Sequence, residues 1–172
     1  MAYYVQITFD TEGIKREYPN PSLNPDKPTE IEESYCYMVA SSKHLTGSNT
    51  RLLELARTPI DPTIRFYGAS ASNNFEDAAL IYSVNRQSIH SGSKQYDPIY
   101  LENSAISPSI PDTLPAQTNE GEQFYFQELE AWFKGKKEHE ISFAVYGRDD
   151  MGQPLLYGYF MYRAIFRLHW EL

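Results

Sequence analysis

Four histidines, one cysteine and a pair of adjacent aspartates are the most reactive side chains in this sequence. His44, His90, His139 and His169 stand apart along the chain. None has the i, i+4 spacing that lets two imidazoles share a metal on one helix face. Cys36 lies in Tyr-Cys-Tyr-Met-Val, and it is the single cysteine. A thiol becomes a nucleophile when a neighbouring cation lowers its pKa; this apolar run supplies none, so Cys36 reads as a core residue. A lone cysteine also makes no intrachain disulfide. Asp149 and Asp150 precede Gly152. Calcium loops supply more oxygens at alternating spacing, so this string reads as a hairpin turn. Gly68-Ala-Ser-Ala-Ser and His90-Ser-Gly-Ser lack the spacing that exposes a strained serine nucleophile. No phosphate-cradling loop or dinucleotide fingerprint occurs. The expectation is a protein that is not an enzyme, with no metal site and no cofactor.

The residues best placed for recognition sit in Tyr18-Pro-Asn-Pro-Ser-Leu-Asn-Pro-Asp-Lys-Pro-Thr29. Prolines 19, 21, 25 and 28 remove backbone donors and push each preceding residue towards extended geometry. The segment is therefore neither helix nor central strand. An ordered surface loop is expected, and Tyr18, Asn20, Asn24 and Asp26 form its candidate ligand-binding set. The competing reading is a tie laid across a sheet edge, which protects the edge from pairing with other chains.

Strands must hold that loop in place. Tyr3, Val5, Ile7 and Phe9 alternate with Tyr4, Gln6 and Thr8, the period of a half-buried strand. Tyr35–Ala40, Ala78–Val84 and Leu155–Tyr162 are apolar on both faces. Arg51–Ala56, Thr63–Gly68 (after an Asp61-Pro62 turn), Asp97–Leu101, Glu122–Gln127 and Ile165–Trp170 complete the strand candidates. Ile141, Phe143 and Val145 alternate before Arg148–Gly152, whose Asp and Gly are hairpin chemistry. Ile106–Ala116, with prolines 108, 111 and 115, reads as a second long loop. One short helix is expected where Leu129, Trp132 and Phe133 fall at i, i+3 and i+4 ahead of Gly135. Strands this closely spaced, without crossover helices, predict an all-β antiparallel β-sandwich, jelly-roll-like, with one short helix.

Composition agrees. The chain has 172 residues, 41% apolar and 15% aromatic, with 14 tyrosines, enough for a single domain over 1–172 with a sizeable core. A net charge of −8 argues against nucleic acid and anionic membrane surfaces. The nearest basic cluster, Lys134, Lys136 and Lys137, runs straight into Glu138 and Glu140. The N-terminus has no basic segment followed by an apolar one, and no apolar run is long enough to span a bilayer. A cytoplasmic protein is expected.

The proline–asparagine pattern from Tyr18 to Thr29, followed by an aromatic strand ending in Met38-Val39, resembles the AidA/PixA family of bacterial inclusion body proteins. The likeness continues through Asp61-Pro62, Leu114-Pro-Ala116 with Glu122–Phe126, Phe143–Asp149 and Leu156-Tyr-Gly-Tyr-Phe160. It implies a bacterial protein whose expression is linked to quorum sensing or host association, and some members accumulate as cytoplasmic inclusions. It brings no catalytic residues. With four methionines, this chain differs from the methionine-rich members.

Two functions follow as expectations. In the first, the protein self-associates as a homodimer or higher oligomer, because strands apolar on both faces exceed what a two-layer sandwich covers. Alternatively, the helix and the long loops cover those faces. The second function is a lectin-like module, in which Tyr and Trp stack on a glycan and Asn and Asp bind its hydroxyls.

Overall fold

A computed structural model describes residues 2–40, 45–48, 52–58, 63–84, 93–95, 97, 99–107, 117–132 and 135–170. Tyr3, Val5, Ile7 and Phe9 are all buried, and their alternation with outward Tyr4 and Gln6 makes the first strand, β1 (Ala2–Phe9). Asp10 then caps a helix, α1 (Thr11–Glu17), with Oδ1 accepting the Gly13 N–H at 2.9 Å. Glu12 in the first turn and Lys15 and Arg16 in the last complement the helix dipole. After the proline loop come β2 (Thr29–Glu30), a 3₁₀ turn (Glu33–Tyr35), β3 (Cys36–Ala40), β4 (Leu45–Ser48), β5 (Leu52–Thr58) and β6 (Thr63–Ser70). The chain continues as β7 (Ala78–Val84), β8 (Ser93–Gln95), β9 (Ile99–Ser107), β10 (Gln117–Ala131), β11 (Gly135–Arg148) and β12 (Pro154–Trp170).

These strands form two sheets. Sheet I runs β3-β1-β6-β10-β8 with β9 on β10, and sheet II runs β4-β5-β12-β11-β7 with β2 on β12. Side chains from their inner faces make one core. Phe9 of sheet I stacks on Phe143 of sheet II at 4.0 Å, and Phe66 stacks on Phe166 at 5.4 Å. The β-sandwich with one short helix is what the sequence predicts, but its sheets are mixed. β1 pairs parallel with β6, and β12 pairs parallel with both β2 and β5. Short hairpins enforce antiparallel neighbours; these partners are far apart in sequence and escape that constraint.

The helix is not where the sequence places it. Residues 127–131 are strand, with Gln127, Leu129 and Ala131 inward and Glu128 and Glu130 outward, held by register to β6 and β8. Trp132 is exposed, and Phe133 lies outside the described residues. Pairing along β10 decides the matter: an isolated two-turn helix is marginal, whereas this segment completes a sheet. The β11–β12 hairpin forms as expected. Asp149 Oδ1 accepts the Met151 and Gln153 N–H groups at 2.9 and 2.8 Å, and Gly152 takes a φ of 75° that suits glycine. Asp61-Pro62 and residues 108–116 fall outside the described residues, while Ile106 and Ser107, expected to open the second long loop, instead end β9, paired with Thr118 and Gln117 of β10.

Candidate functional site

The proline loop is a built structure laid along β12. Ser22 bridges to Tyr159, whose N–H donates to the Ser22 carbonyl at 2.8 Å. The Ser22 N–H donates to Thr29 Oγ1 at 2.8 Å, and the Ile31 N–H donates to the Met161 carbonyl at 2.9 Å. Together with β2, these contacts occupy the edge of β12 ahead of the stretch that β5 pairs. Pro21 packs directly on Gly158, where a Cβ would collide with its ring. At the far end of the loop the Tyr82 hydroxyl donates to the Pro25 carbonyl at 2.9 Å, pinning the loop to β7.

The four predicted ligand residues play different parts here. Tyr18 ends α1; its ring packs edge-on against Tyr35 and Phe160, and its hydroxyl accepts the Glu32 N–H at 3.2 Å. Asn24 folds a turn, its Oδ1 accepting the Asp26 N–H at 2.9 Å and its carbonyl the Lys27 N–H at 3.1 Å. Asp26 is exposed on that turn, and Asn20 is exposed elsewhere on the loop.

What the loop does create is a recess. Where it crosses the outer face of sheet II, a half-open hollow of about 520 Å³ lies between Pro25, Leu80 and four tyrosines, Tyr82, Tyr125, Tyr146 and Tyr159. Register brings three strands together at its floor: Ala144 of β11 is flanked by Leu80 of β7 and Tyr159 of β12. Tyr82 and Tyr159 meet edge-to-face at 5.5 Å. Tyr125 reaches across from β10, donating to the Ile81 carbonyl at 2.8 Å. Burial raises the pKa of Tyr82 and Tyr146, with Tyr159 adding to both and the Ser142 hydroxyl opposing at Tyr82. The phenols are therefore neutral hydroxyls at physiological pH. None of these tyrosines belongs to the predicted set. For Tyr82 and Tyr159 the signal in the sequence is the double apolar character of Ala78–Val84 and Leu155–Tyr162; Tyr125 and Tyr146 lie in other strand candidates with nothing to single them out.

The outer face of sheet I is open. Tyr4, Tyr37 and Val39 are 50, 50 and 58% exposed on β1 and β3, and Phe126 contacts Tyr4 at 5.4 Å and Tyr67 at 6.3 Å. Arg65 lies over the Tyr4 ring and pairs with Glu128 at 3.0 Å, so the centre of the face carries balanced charge.

The reactive residues do not converge. Cys36 is fully buried, and burial, with Glu33 adding, pushes its thiol well above the usual range. The buried Tyr162 hydroxyl has no hydrogen-bond partner among the described residues; burial, with Cys36 adding, raises its pKa. His139 is a core residue stacked on Phe166 at 4.4 Å. His169 is exposed and meets Glu54 at 2.7 Å. His44 and His90 lie outside the described residues. Among the described residues no group of three His, Cys, Asp or Glu side chains is placed to hold a metal, and no helix is long and apolar enough to cross a membrane.

These features define a two-sheet, mixed β-sandwich with an aromatic recess and an open aromatic face. The family model for PixA, the inclusion body proteins, matches residues 3–166, and the chain belongs to that family. The crystal structure of the inclusion body protein PixA from Burkholderia cenocepacia J2315 is similar to it, with a TM-score of 0.78 at 26% identity, covering 98% of this chain and 95% of that one. No curated protein matches the sequence.

Proposed function

We propose that this is a cytoplasmic, non-enzymatic protein that works by self-association, with a second copy covering the outer face of sheet I. The open aromatic face beside β3 carries this reading. β3 is the terminal strand of sheet I, and its Tyr37 and Val39 side chains continue the apolar surface of Tyr4, Tyr67 and Phe126 to the sheet edge. Exposed contiguous apolar surface of this kind marks interaction sites. A like copy fits because the Arg65–Glu128 pair balances the charge at its centre, although the chain as a whole carries −8. Membership of an inclusion body family supports the same reading. Expression linked to quorum sensing or to host association is the setting we propose for it.

Sedimentation at micromolar concentration tests the proposal. A species of at least twice the 19.9 kDa chain mass is expected, and Tyr37→Lys/Val39→Lys should reduce it to a monomer with an unchanged melting temperature. A clean wild-type monomer overturns it, as does an oligomer indifferent to both lysines.

The lectin-like reading keeps less support. Sugar hydroxyls are held by Asn, Asp and similar side chains, and here Asn24 is committed to its own turn while Tyr18 is committed to Glu32.

A further inference from the structure

The recess on the outer face of sheet II has walls, a floor and free polar groups, and its chemistry restricts what can fill it. Its volume of about 520 Å³ falls in the range of small-molecule sites, which are concave and mostly apolar with a few placed polar groups. Apolar surface comes from Pro25, Leu80, Ala144 and the tyrosine faces, and no residue lining the recess carries a formal charge. Tyr82 and Tyr125 spend their hydroxyl protons on the Pro25 and Ile81 carbonyls. That fixes the rings as rigid walls, an arrangement that lowers the entropy lost on binding. Tyr146 and Tyr159 remain. Neither hydroxyl is hydrogen-bonded among the described residues, and the two phenols are close enough to influence one another.

We propose that this recess binds a neutral, planar aromatic small molecule bearing one or two hydroxyl or carbonyl groups. Its ring would lie against Pro25, Leu80 and the fixed tyrosine walls, where aromatic pairs gain beyond simple burial. Its polar group would meet Tyr146 or Tyr159. A formal charge on the ligand is disfavoured because the lining offers no counter-charge to offset desolvation. A sugar is disfavoured because its many hydroxyls would find only two phenols.

Titration of the full-length protein with 2-naphthol, followed by calorimetry or ligand-observed NMR, tests this directly. Saturable one-to-one binding with a Kd between about 10 µM and 1 mM is expected for a ligand of this size. The anion 2-naphthoate and the sugar methyl glucoside should bind at least about tenfold more weakly. Leu80→Lys, at a partly exposed position on the last strand of sheet II, should weaken 2-naphthol at least about tenfold by placing a charge in the recess. Tyr146→Phe with Tyr159→Phe should weaken it less, by about three- to tenfold, through loss of one hydrogen bond. Val39→Lys, on the other sheet, should leave binding unchanged, so this test stands whether or not self-association does. The proposal is overturned by absent or non-saturable binding, by preference for the anion or the sugar, or by binding that follows Val39 rather than Leu80.

Discussion

The outer faces of the two sheets are made from the same residue type and differ in what lies over them. On sheet I, Tyr4, Tyr37 and Tyr67 lie on an open surface that ends at an edge strand. On sheet II, Tyr82, Tyr146 and Tyr159 stand under the proline loop, which converts a similar aromatic surface into a recess. The sheet I face carries a hollow of its own, about 670 Å³ between Tyr4, Val39, Tyr67 and Phe126, but it runs out to an edge strand over which a second copy can extend. The sheet II recess has Pro25, tied to Tyr82, as an added wall around a small ligand. Tyrosine content is therefore silent on which function follows. The loop decides, through Pro21 against Gly158 at one end and Pro25 against Tyr82 at the other.

The largest expected effect joins the two faces, because both rest on one core. His139 of sheet II stacks on Phe166, and Phe166 stacks on Phe66 of sheet I. Burial, reinforced by the Lys137 charge and opposed by a backbone hydrogen bond, lowers the His139 pKa from 6.5 to about 4. Above the unfolded value the imidazole is neutral in both states. As the pH falls below it, the unfolded chain binds a proton that the folded chain refuses. The stability lost grows by about 1.4 kcal/mol per pH unit and reaches roughly 3 kcal/mol near the folded pKa. Urea unfolding between pH 7 and 4 should show this slope in the wild type and a shallower one in His139→Phe. Self-association and recess binding should fail together along it. Identical slopes would mean that His139 titrates normally and that the shared core is not the acid-sensitive element.

Gly158→Ala should instead pull the faces apart. The new methyl group would occupy space held by the Pro21 ring and would approach the Ser22 carbonyl, so the loop must lift or the strand must shift. Overpacking of this kind costs about 1–3 kcal/mol. Recess binding should be lost while the sheet I assembly persists. If thermal stability, recess binding and assembly are all unchanged, the loop has room that the close packing denies, and the distinction between the faces rests on something else.

The sandwich was largely legible in the sequence, and the reasons for the misses are physical. β1 announces itself because inward apolar residues alternate with outward ones, β7 and β12 as apolar runs, and the β11–β12 hairpin through the alternation of Ile141, Phe143 and Val145 ahead of an Asp and Gly turn. β10 hides the same alternation: a buried glutamine, Gln127, stands in an inward slot, while Leu129, Trp132 and Phe133 fall at helical spacing. The real helix is a seven-residue segment with Ile14 as its buried large apolar side chain, too little for a period to show. Its legible trace is Asp10 as a cap, with Glu12 early and Lys15 and Arg16 late. Four prolines made the loop conspicuous, yet the recess below it needs Leu80, Ala144 and Tyr159 side by side. Strand register supplies that adjacency, and a linear pattern does not encode it. The strands apolar on both faces did carry information, since two of the three, β7 and β12, line the recess and the third, β3, borders the open face.

The smallest expected effect asks whether the loop's own hydrogen bonds, rather than its prolines alone, keep it over sheet II. Thr29 Oγ1 accepts the Ser22 N–H at 2.8 Å beside the point where Ser22 bridges to Tyr159. Thr29→Val keeps the shape and the strand preference of β2 and deletes that acceptor. Leaving a part-buried N–H unpaired costs about 1 kcal/mol. Because the bond is local to the loop, the cost should appear as loop opening rather than as global unfolding. One kcal/mol is about a fivefold change in an opening equilibrium, so chymotrypsin should cut after the exposed Leu23 of the loop about fivefold faster in native protein. Asn20→Ala is the matched control: its side chain is exposed and makes no hydrogen bond among the described residues, so cleavage should match the wild type. Were Thr29→Val indistinguishable from Asn20→Ala, the prolines and the Pro21–Gly158 packing would hold the loop alone, and Ser22 and Thr29 would drop out of the account of how the recess is kept closed on that side.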